Sequence, residues 1–263
     1  MKNNHSLNAR GVYLLPNLLT TGAMFAGFYS IIGAINARYT EAAIAILIAG
    51  VLDGLDGRVA RATQTQTEFG MHYDSMSDLV SFGMAPAILV FVWSLQSLAG
   101  LGNLPGKLGW LAAFLYCACA ALRLARFNSQ ARVADKRYFQ GLASPAAAGT
   151  LVSTVWFCVE HGINGEQAAW PMLLLTATIG LLMFTRLRYY SFKSASMSKR
   201  GPLTWALILL LLFVLLAVDL SLMLMLIAYL YVASGAVITW RGRQRRRDRS
   251  ADARSQPERD DAQ

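Results

Sequence analysis

Charge is scarce in this chain. Asp, Glu, Lys and Arg make up 15% of its 263 residues and hydrophobic residues 55%, and the mean hydropathy is +0.40. So few ionic groups cannot cover a surface that faces water on all sides, and the same composition excludes a disordered chain. Cysteine is rarer still. Cys117, Cys119 and Cys158 lie inside apolar runs with no C-x-x-C pair and no histidine beside them, which excludes a disulfide framework and a thiolate metal site. The histidines are His5, His72 and His161; scattered in polar surroundings, they read as solvated or structural groups, not ligands. No internal repeat or low-complexity linker interrupts the body of the chain.

Long hydrophobic runs are what the chain has in abundance. A bilayer core about 30 Å thick is crossed by about 20 apolar residues of helix, and about eight such stretches are predicted. They run over Leu18–Ala37, Ala42–Ala60, Leu79–Leu98, Leu108–Ala125, Leu142–Val159, Trp170–Thr185, Leu203–Val218 and Leu220–Trp240. The last two are divided by Asp219 alone; one helix through both would be about 54 Å long, so a reversal is placed there. The first stretch is longer than the apolar region of a secretory signal and lacks a small-x-small cleavage site, and is read as a retained span. The fold class is therefore an all-α polytopic membrane bundle, residues 1–240 forming one membrane domain and 241–263 a basic polar tail expected to be disordered.

The net charge of +9 has a topological explanation. With the N-terminus in the cytoplasm, every Lys and Arg except Arg38 and Lys107 falls on the cytoplasmic side of the eight-span arrangement, as the positive-inside rule requires. Both termini are then cytoplasmic, in a bacterial-type inner membrane. The arginine-rich stretch from Arg241 to Arg249 suits anionic lipid at the membrane surface, and nucleic acid is not expected as a partner.

Acidic residues are costly at membrane depth, which makes Asp53, Asp56, Asp74 and Asp78 conspicuous at the cytoplasmic ends of the second and third spans. Asp53 and Asp56 are three apart and Asp74 and Asp78 four apart, so on a helix each pair shares a face. Capping would explain an aspartate at a helix start but not Asp53 and Asp56 within the end of a span. Carboxylates so placed repel one another unless cations lie between them, and oxygen-only ligands select hard ions, here two Mg²⁺ or Mn²⁺. A pair of such ions is the clamp used for displacement at phosphorus. Gly54, Gly57 and Gly70 remove side chains where a pyrophosphate or a neighbouring helix must come close, and Arg61 offers a permanently charged fork for phosphate.

The pattern Asp53-x-x-Asp56-Gly57-x-x-Ala60-Arg61, continuing through Gly70 and Asp74 to Asp78, resembles the signature of the CDP-alcohol phosphatidyltransferase family at each of its fixed positions. The resemblance implies a six-helix membrane core, here with two further C-terminal spans, usually dimeric, that transfers a phosphatidyl group from CDP-diacylglycerol to an alcohol and releases CMP. By the same resemblance Asp53, Asp56 and Asp74 are metal ligands and Asp78 is both ligand and general base. Gly57 and Arg61 face the nucleotide diphosphate with Thr67 near it, and Asn17 and Thr20, in Pro16-Asn17-Leu18-Leu19-Thr20, line the cytidine site.

Three further stretches, Ser77 to Ala87, Arg123 to Asn128 and Gly141 to Ala148, are similar to the phosphatidylserine synthase branch of that family. One departure is Ala143, where the branch commonly has proline, which is expected to loosen a turn. The resemblance implies L-serine as acceptor. Physically, a zwitterion needs a cation for its carboxylate, and Arg123 and Arg126 stand on the proper side, with Asn128 able to add a neutral hydrogen bond. The same arginines would suit glycerol 3-phosphate, as in a phosphatidylglycerophosphate synthase, or could simply anchor the cytoplasmic end of a span. A divalent-cation transporter would also place carboxylates in spans, but it needs access from both sides, whereas these four cluster at one face.

Overall fold

The computed structural model describes residues 5–65, 67–130, 139–185, 188–189 and 219–235. Within them the chain is a helical bundle: α1 (His5–Ile35), α2 (Tyr39–Ala62), α3 (Glu68–Asp78), a π-helical segment (Leu79–Met84), α4 (Ala85–Trp93), a 3-10 turn (Leu95–Leu101), α5 (Asn103–Gln130), α6 (Ser144–Glu160) and α7 (Ala169–Phe184). A last helix, α8, covers Leu220–Gly235. A two-residue antiparallel ladder joins β1 (Phe139–Gln140) to β2 (Arg188–Tyr189).

This is an all-α polytopic membrane protein. Leu15–Ile35, Glu68–Trp93 and Asn103–Ser129 are long and apolar enough to cross a bilayer, and Ala169–Phe184 and Leu220–Gly235 are shorter apolar helices. Phe25, Phe28, Val51, Phe114 and Leu174 point outward from four of the helices, a surface that would aggregate in water and is at home among acyl chains. The predicted seventh span, Leu203–Val218, and the tail 241–263 lie outside the described residues.

The third span differs from its predicted limits. It does not begin at Leu79: α3, the π segment and α4 form one rod from Glu68 to Trp93, and Asp74 and Asp78 are therefore inside a helix, not at its mouth. The early start has a local cause. Thr67, in extended conformation, accepts a hydrogen bond on its side chain from the Gly70 N–H and caps α3, whose polar composition hid it from a search for apolar runs. The break expected at Asp219 is present: the Asp219 carboxylate accepts from the Leu222 N–H at 2.8 Å and the Ser221 hydroxyl at 2.9 Å, starting α8 afresh. That backbone hydrogen bond, seconded by the Ser221 hydroxyl, holds the Asp219 carboxyl below the usual carboxylate range.

Small residues and serines, not bulky hydrophobes, join the rod to α1 and α2. Ala23, Ala26, Ala34, Ala42, Ala43 and Ala49 are buried along these helices, and Gly33 faces Ala42, the close packing that membrane helices use where lipid removes the hydrophobic drive. Ser77 Oγ donates to the Thr20 carbonyl at 3.1 Å and Ser81 Oγ to the Ala23 carbonyl at 3.0 Å. Tyr116 of α5 donates to the Phe82 carbonyl within the π segment at 2.9 Å, supplying a partner where the wider turn disturbs the regular ladder. Ala143 has φ −64° and ψ 138° at the N-cap of α6, the backbone shape proline would impose. Its departure from the branch pattern therefore leaves the turn unchanged.

Gly27 is the tightest point of the α1 seam, since a Cβ there would stand 2.6 Å from Ser81 Oγ and 2.7 Å from Ser81 Cα. Gly27→Leu should push the rod off α1 and lower stability by about 1–3 kcal/mol, read as a drop in midpoint temperature of the detergent-solubilised protein; an unchanged midpoint would show that the seam is not tight.

Candidate active site

Two helices supply the acidic cluster. The C-terminal half of α2 carries Asp53 and Asp56, and α3 carries Asp74 and Asp78. One carboxylate oxygen from each of Asp53, Asp56 and Asp74 can be chosen so that all lie within 4.8 Å of one another, and the Asp78 carboxyl lies beside that of Asp53. Two unit negative charges 4 Å apart repel by about 4 kcal/mol at an effective dielectric of 20, so four carboxylates in one cleft call for protons or cations among them. The Arg38–Glu41 ion pair and the His161–Asp219 contact lie elsewhere. An all-oxygen donor set of this compactness fits a hard divalent ion, so the residues present suit the metal that the sequence implies.

The cluster is held from behind by α1. Thr20 is 4% exposed and donates its hydroxyl to Asp56 Oδ2 at 2.6 Å, while Asp56 itself is 5% exposed. A buried carboxylate fixed in this way presents its other oxygen in one direction. Thr20 was expected to line the nucleotide site; the structure aims its hydroxyl at the carboxylate. At the next residue, Thr21 shares a hydrogen bond of 2.8 Å with Tyr73, a second clasp between α1 and α3 that no motif announced. Its only signal was a pair of polar residues at compatible heights on adjoining spans.

The remaining sequence candidates surround this core. An added Cβ at Gly54 or Gly57 would meet nothing within 4 Å. Among the described residues no neighbouring helix packs against either glycine, so the backbone there is open to approach. Gly70 is different: a Cβ would come within 3.1 Å of Thr67 Oγ1 and 3.5 Å of Asn17 Oδ1, which also places Asn17 of α1 beside the start of α3. Arg61 is exposed in the last turn of α2. Thr67 Oγ1 serves as the cap of α3.

The basic side of the cleft comes from α5. Arg123 is close enough to Asp78 to interact with its charge, donates Nη1 to Ser144 Oγ at 2.6 Å, and has a buried Nε with no hydrogen-bond partner among the described residues. Leaving such a donor unpaired costs about 1–3 kcal/mol, a common mark of a group kept for a ligand. Arg126 is engaged differently: it donates to the Phe184 carbonyl at 3.2 Å and lies over the Phe184 ring, 5.6 Å from its centroid, joining α5 to the end of α7. Asn128 exchanges hydrogen bonds with Ser75 of α3 at 2.9 and 3.3 Å. The three polar residues proposed together for the acceptor thus face three different partners, and Arg123 lies near Asp78 of the cluster. Ser144 was not singled out in advance, although it stands in the Gly141 to Ala148 stretch.

Comparison with known proteins points to the family that the sequence resembles. The family model described as CDP-alcohol phosphatidyltransferase matches residues 13–160, a span that includes all four aspartates and Arg123. The chain is 34% identical over 182 residues to a CDP-diacylglycerol--serine O-phosphatidyltransferase of Helicobacter pylori, covering 69% of this chain and 74% of that protein. It is 37% identical over 144 residues to the protein of the same name from Methanocaldococcus jannaschii, covering 55% of this chain and 61% of the relative. An archaetidylserine synthase of Methanothermobacter thermautotrophicus is 33% identical over 177 residues, with 66% and 69% covered.

Thr20→Val keeps the volume of the side chain and removes its hydrogen bond to Asp56. Affinity for Mn²⁺, followed by the paramagnetic signal of the free ion, should fall about 10- to 100-fold, and Thr20→Ser should largely retain it; equal affinity in all three proteins would detach Thr20 from the cluster.

Proposed function

Because the chain belongs to the CDP-alcohol phosphatidyltransferase family, we propose that it transfers the phosphatidyl group of CDP-diacylglycerol to the hydroxyl of L-serine, releasing CMP. The observation that carries this reading is the compact carboxylate cluster of Asp53, Asp56 and Asp74, with Arg123 of α5 on its basic side, near Asp78. An acceptor bound there would offer its hydroxyl to a carboxylate and its own negative charge to a guanidinium, which is the disposition of groups in serine. Glycerol 3-phosphate would satisfy the same two residues, and the names of the relatives favour serine.

In this reading Asp53, Asp56, Asp74 and Asp78 would hold two divalent cations, Mg²⁺ or Mn²⁺. When bound, these supply neutralisation of the charge on the pyrophosphate oxygens. The bare backbone at Gly54 and Gly57 admits the diphosphate, and Arg61 balances part of its charge from the last turn of α2. Asn17 and Thr67, at the start of α1's apolar stretch and the cap of α3, stand where the nucleotide enters, with Thr20 supporting Asp56. Asp78 accepts the proton of the acceptor hydroxyl while Arg123 orients the acceptor through its carboxylate. The hydroxyl oxygen forms the new bond to the β-phosphorus as the bond to the CMP oxygen breaks. No activated side-chain nucleophile accompanies the cluster among the described residues, which supports a single displacement.

We place the cleft at the cytoplasmic face of a bacterial-type inner membrane, with both termini in the cytoplasm. There serine and CMP exchange with water, and the diacylglycerol tails enter from the lipid between helices. Residues 1–240 act as the membrane domain, 241–263 as a basic tail held against anionic lipid. The working form is a homodimer. Arg126 and Asn128 contribute by fixing the end of α5 to α7 and α3, the contacts they already make.

Purified protein given Mn²⁺, CDP-diacylglycerol and either labelled serine or labelled glycerol 3-phosphate should release CMP with serine; labelling of the glycerol phosphate product alone would reverse the acceptor assignment, and metal flux without CMP release would support a transporter. Asp78→Asn should lower turnover by about 10²- to 10⁴-fold with the thermal midpoint retained. Near-normal turnover in that variant would remove Asp78 as the base.

A further inference from the structure

The chain entering α6 is wedged against the end of α7. Gly141 has φ +85°, and a Cβ there would collide with the Met183 carbonyl oxygen and stand 3.0 Å from that of Thr185 and 3.1 Å from Arg126 Nη2. Only bare backbone can occupy that gap, and the left-handed conformation suits glycine. The next residue, Leu142, is fully buried and donates its N–H to the Leu182 carbonyl at 3.3 Å. Two residues later α6 begins with Ser144, itself fully buried. The Ser144 hydroxyl is thus given a fixed place by α7, and from that place it meets α5: its Oγ accepts from Arg123 Nη1 at 2.6 Å.

That bond selects the edge of the guanidinium that stays open. The Nε and Nη2 hydrogens of an arginine point the same way, and this lateral edge grips a carboxylate with two parallel bonds. Ser144 is the one hydrogen-bond partner of Arg123 among the described residues, and Nε is buried without one. Nη1 is the nitrogen outside the lateral edge, so tethering it aims Nε and Nη2 together at an incoming ligand. A carboxylate in the place of Ser144 would cancel part of the charge and compete with an anionic acceptor. A hydroxyl holds the fork and leaves the full positive charge for the ligand. We propose that Ser144 is a positioning residue for the acceptor: seated by the end of α7, it tethers Arg123 Nη1 so that the Nε–Nη2 edge receives the acceptor carboxylate. Acceptor affinity is then governed in part by the start of α6, while donor binding belongs to α1, α2 and α3.

This assignment rests on the serine reading, and kinetics on the full-length enzyme in mixed micelles separates the two. Ser144→Ala removes the hydroxyl and leaves a good helix former in the first turn of α6; it should raise the serine KM about tenfold, with the CDP-diacylglycerol KM changed by less than about twofold. Arg123→Lys keeps the cation but has no fork, so it should raise the serine KM at least as far. Ser144→Ala added to Arg123→Lys should then change that value by less than about twofold, because no edge remains to be aimed. A wild-type serine KM in Ser144→Ala, even with a lowered thermal midpoint, or an equal rise in both KM values would overturn the positioning role while leaving serine as acceptor. So would a wild-type serine KM in Arg123→Lys, or a further tenfold rise on adding Ser144→Ala to it. A wild-type enzyme that releases no CMP with serine would overturn both.

Discussion

Like charges forced together at the end of a membrane bundle are the constraint on which this structure depends. Asp53 and Asp56 on α2 converge with Asp74 and Asp78 on α3, an arrangement that electrostatics alone would drive apart. Two things oppose the separation. Hydrogen bonds from serine and threonine side chains and close small-residue packing lock α1 between the two acidic helices, and the all-oxygen donor set gives a divalent ion a place to sit. The bundle therefore supplies a rigid frame that holds the acidic cluster together.

The frame is economical in its materials. In lipid a bulky apolar side chain gains little by leaving the acyl phase for a helix interface, so the interface is made from alanine, glycine and hydroxyl groups that let backbones approach. The large hydrophobes stay outside or fill the second shell of the bundle around Phe82, Leu89 and Tyr116. A π segment directly after Asp78 widens one turn of the rod at the point where the catalytic face gives way to the packed one, a common position for such an irregularity. Tyr116 occupies the disturbed carbonyl, so the widening is tied into α5, the same helix that brings Arg123.

The polar residues around the cluster divide by what they touch. Thr20, Thr21, Tyr73 and Thr67 fasten α1 to the acidic helices or cap them. Arg126 and Asn128 fasten the end of α5. Arg123 alone among the basic candidates of α5 combines a buried unpaired nitrogen with proximity to an aspartate of the cluster. Charge on the correct side of the membrane was thus a poor guide to role, because the positive-inside preference and substrate binding ask for the same residue type at the same height.

By itself the sequence determined the membrane class, the approximate helices and the acidic constellation with its family, because long apolar runs and a fixed spacing of carboxylates are local, periodic signals that survive in one dimension. Only the tertiary structure decided where the third span begins, because a Thr67 cap starts a polar helical stretch that hydropathy does not register. The same holds for what Thr20 holds and for α8 lying along α6. Those facts depend on which faces of distant helices meet, and the energy that selects them comes from contacts between residues 36, 57 or more positions apart, which no local pattern encodes.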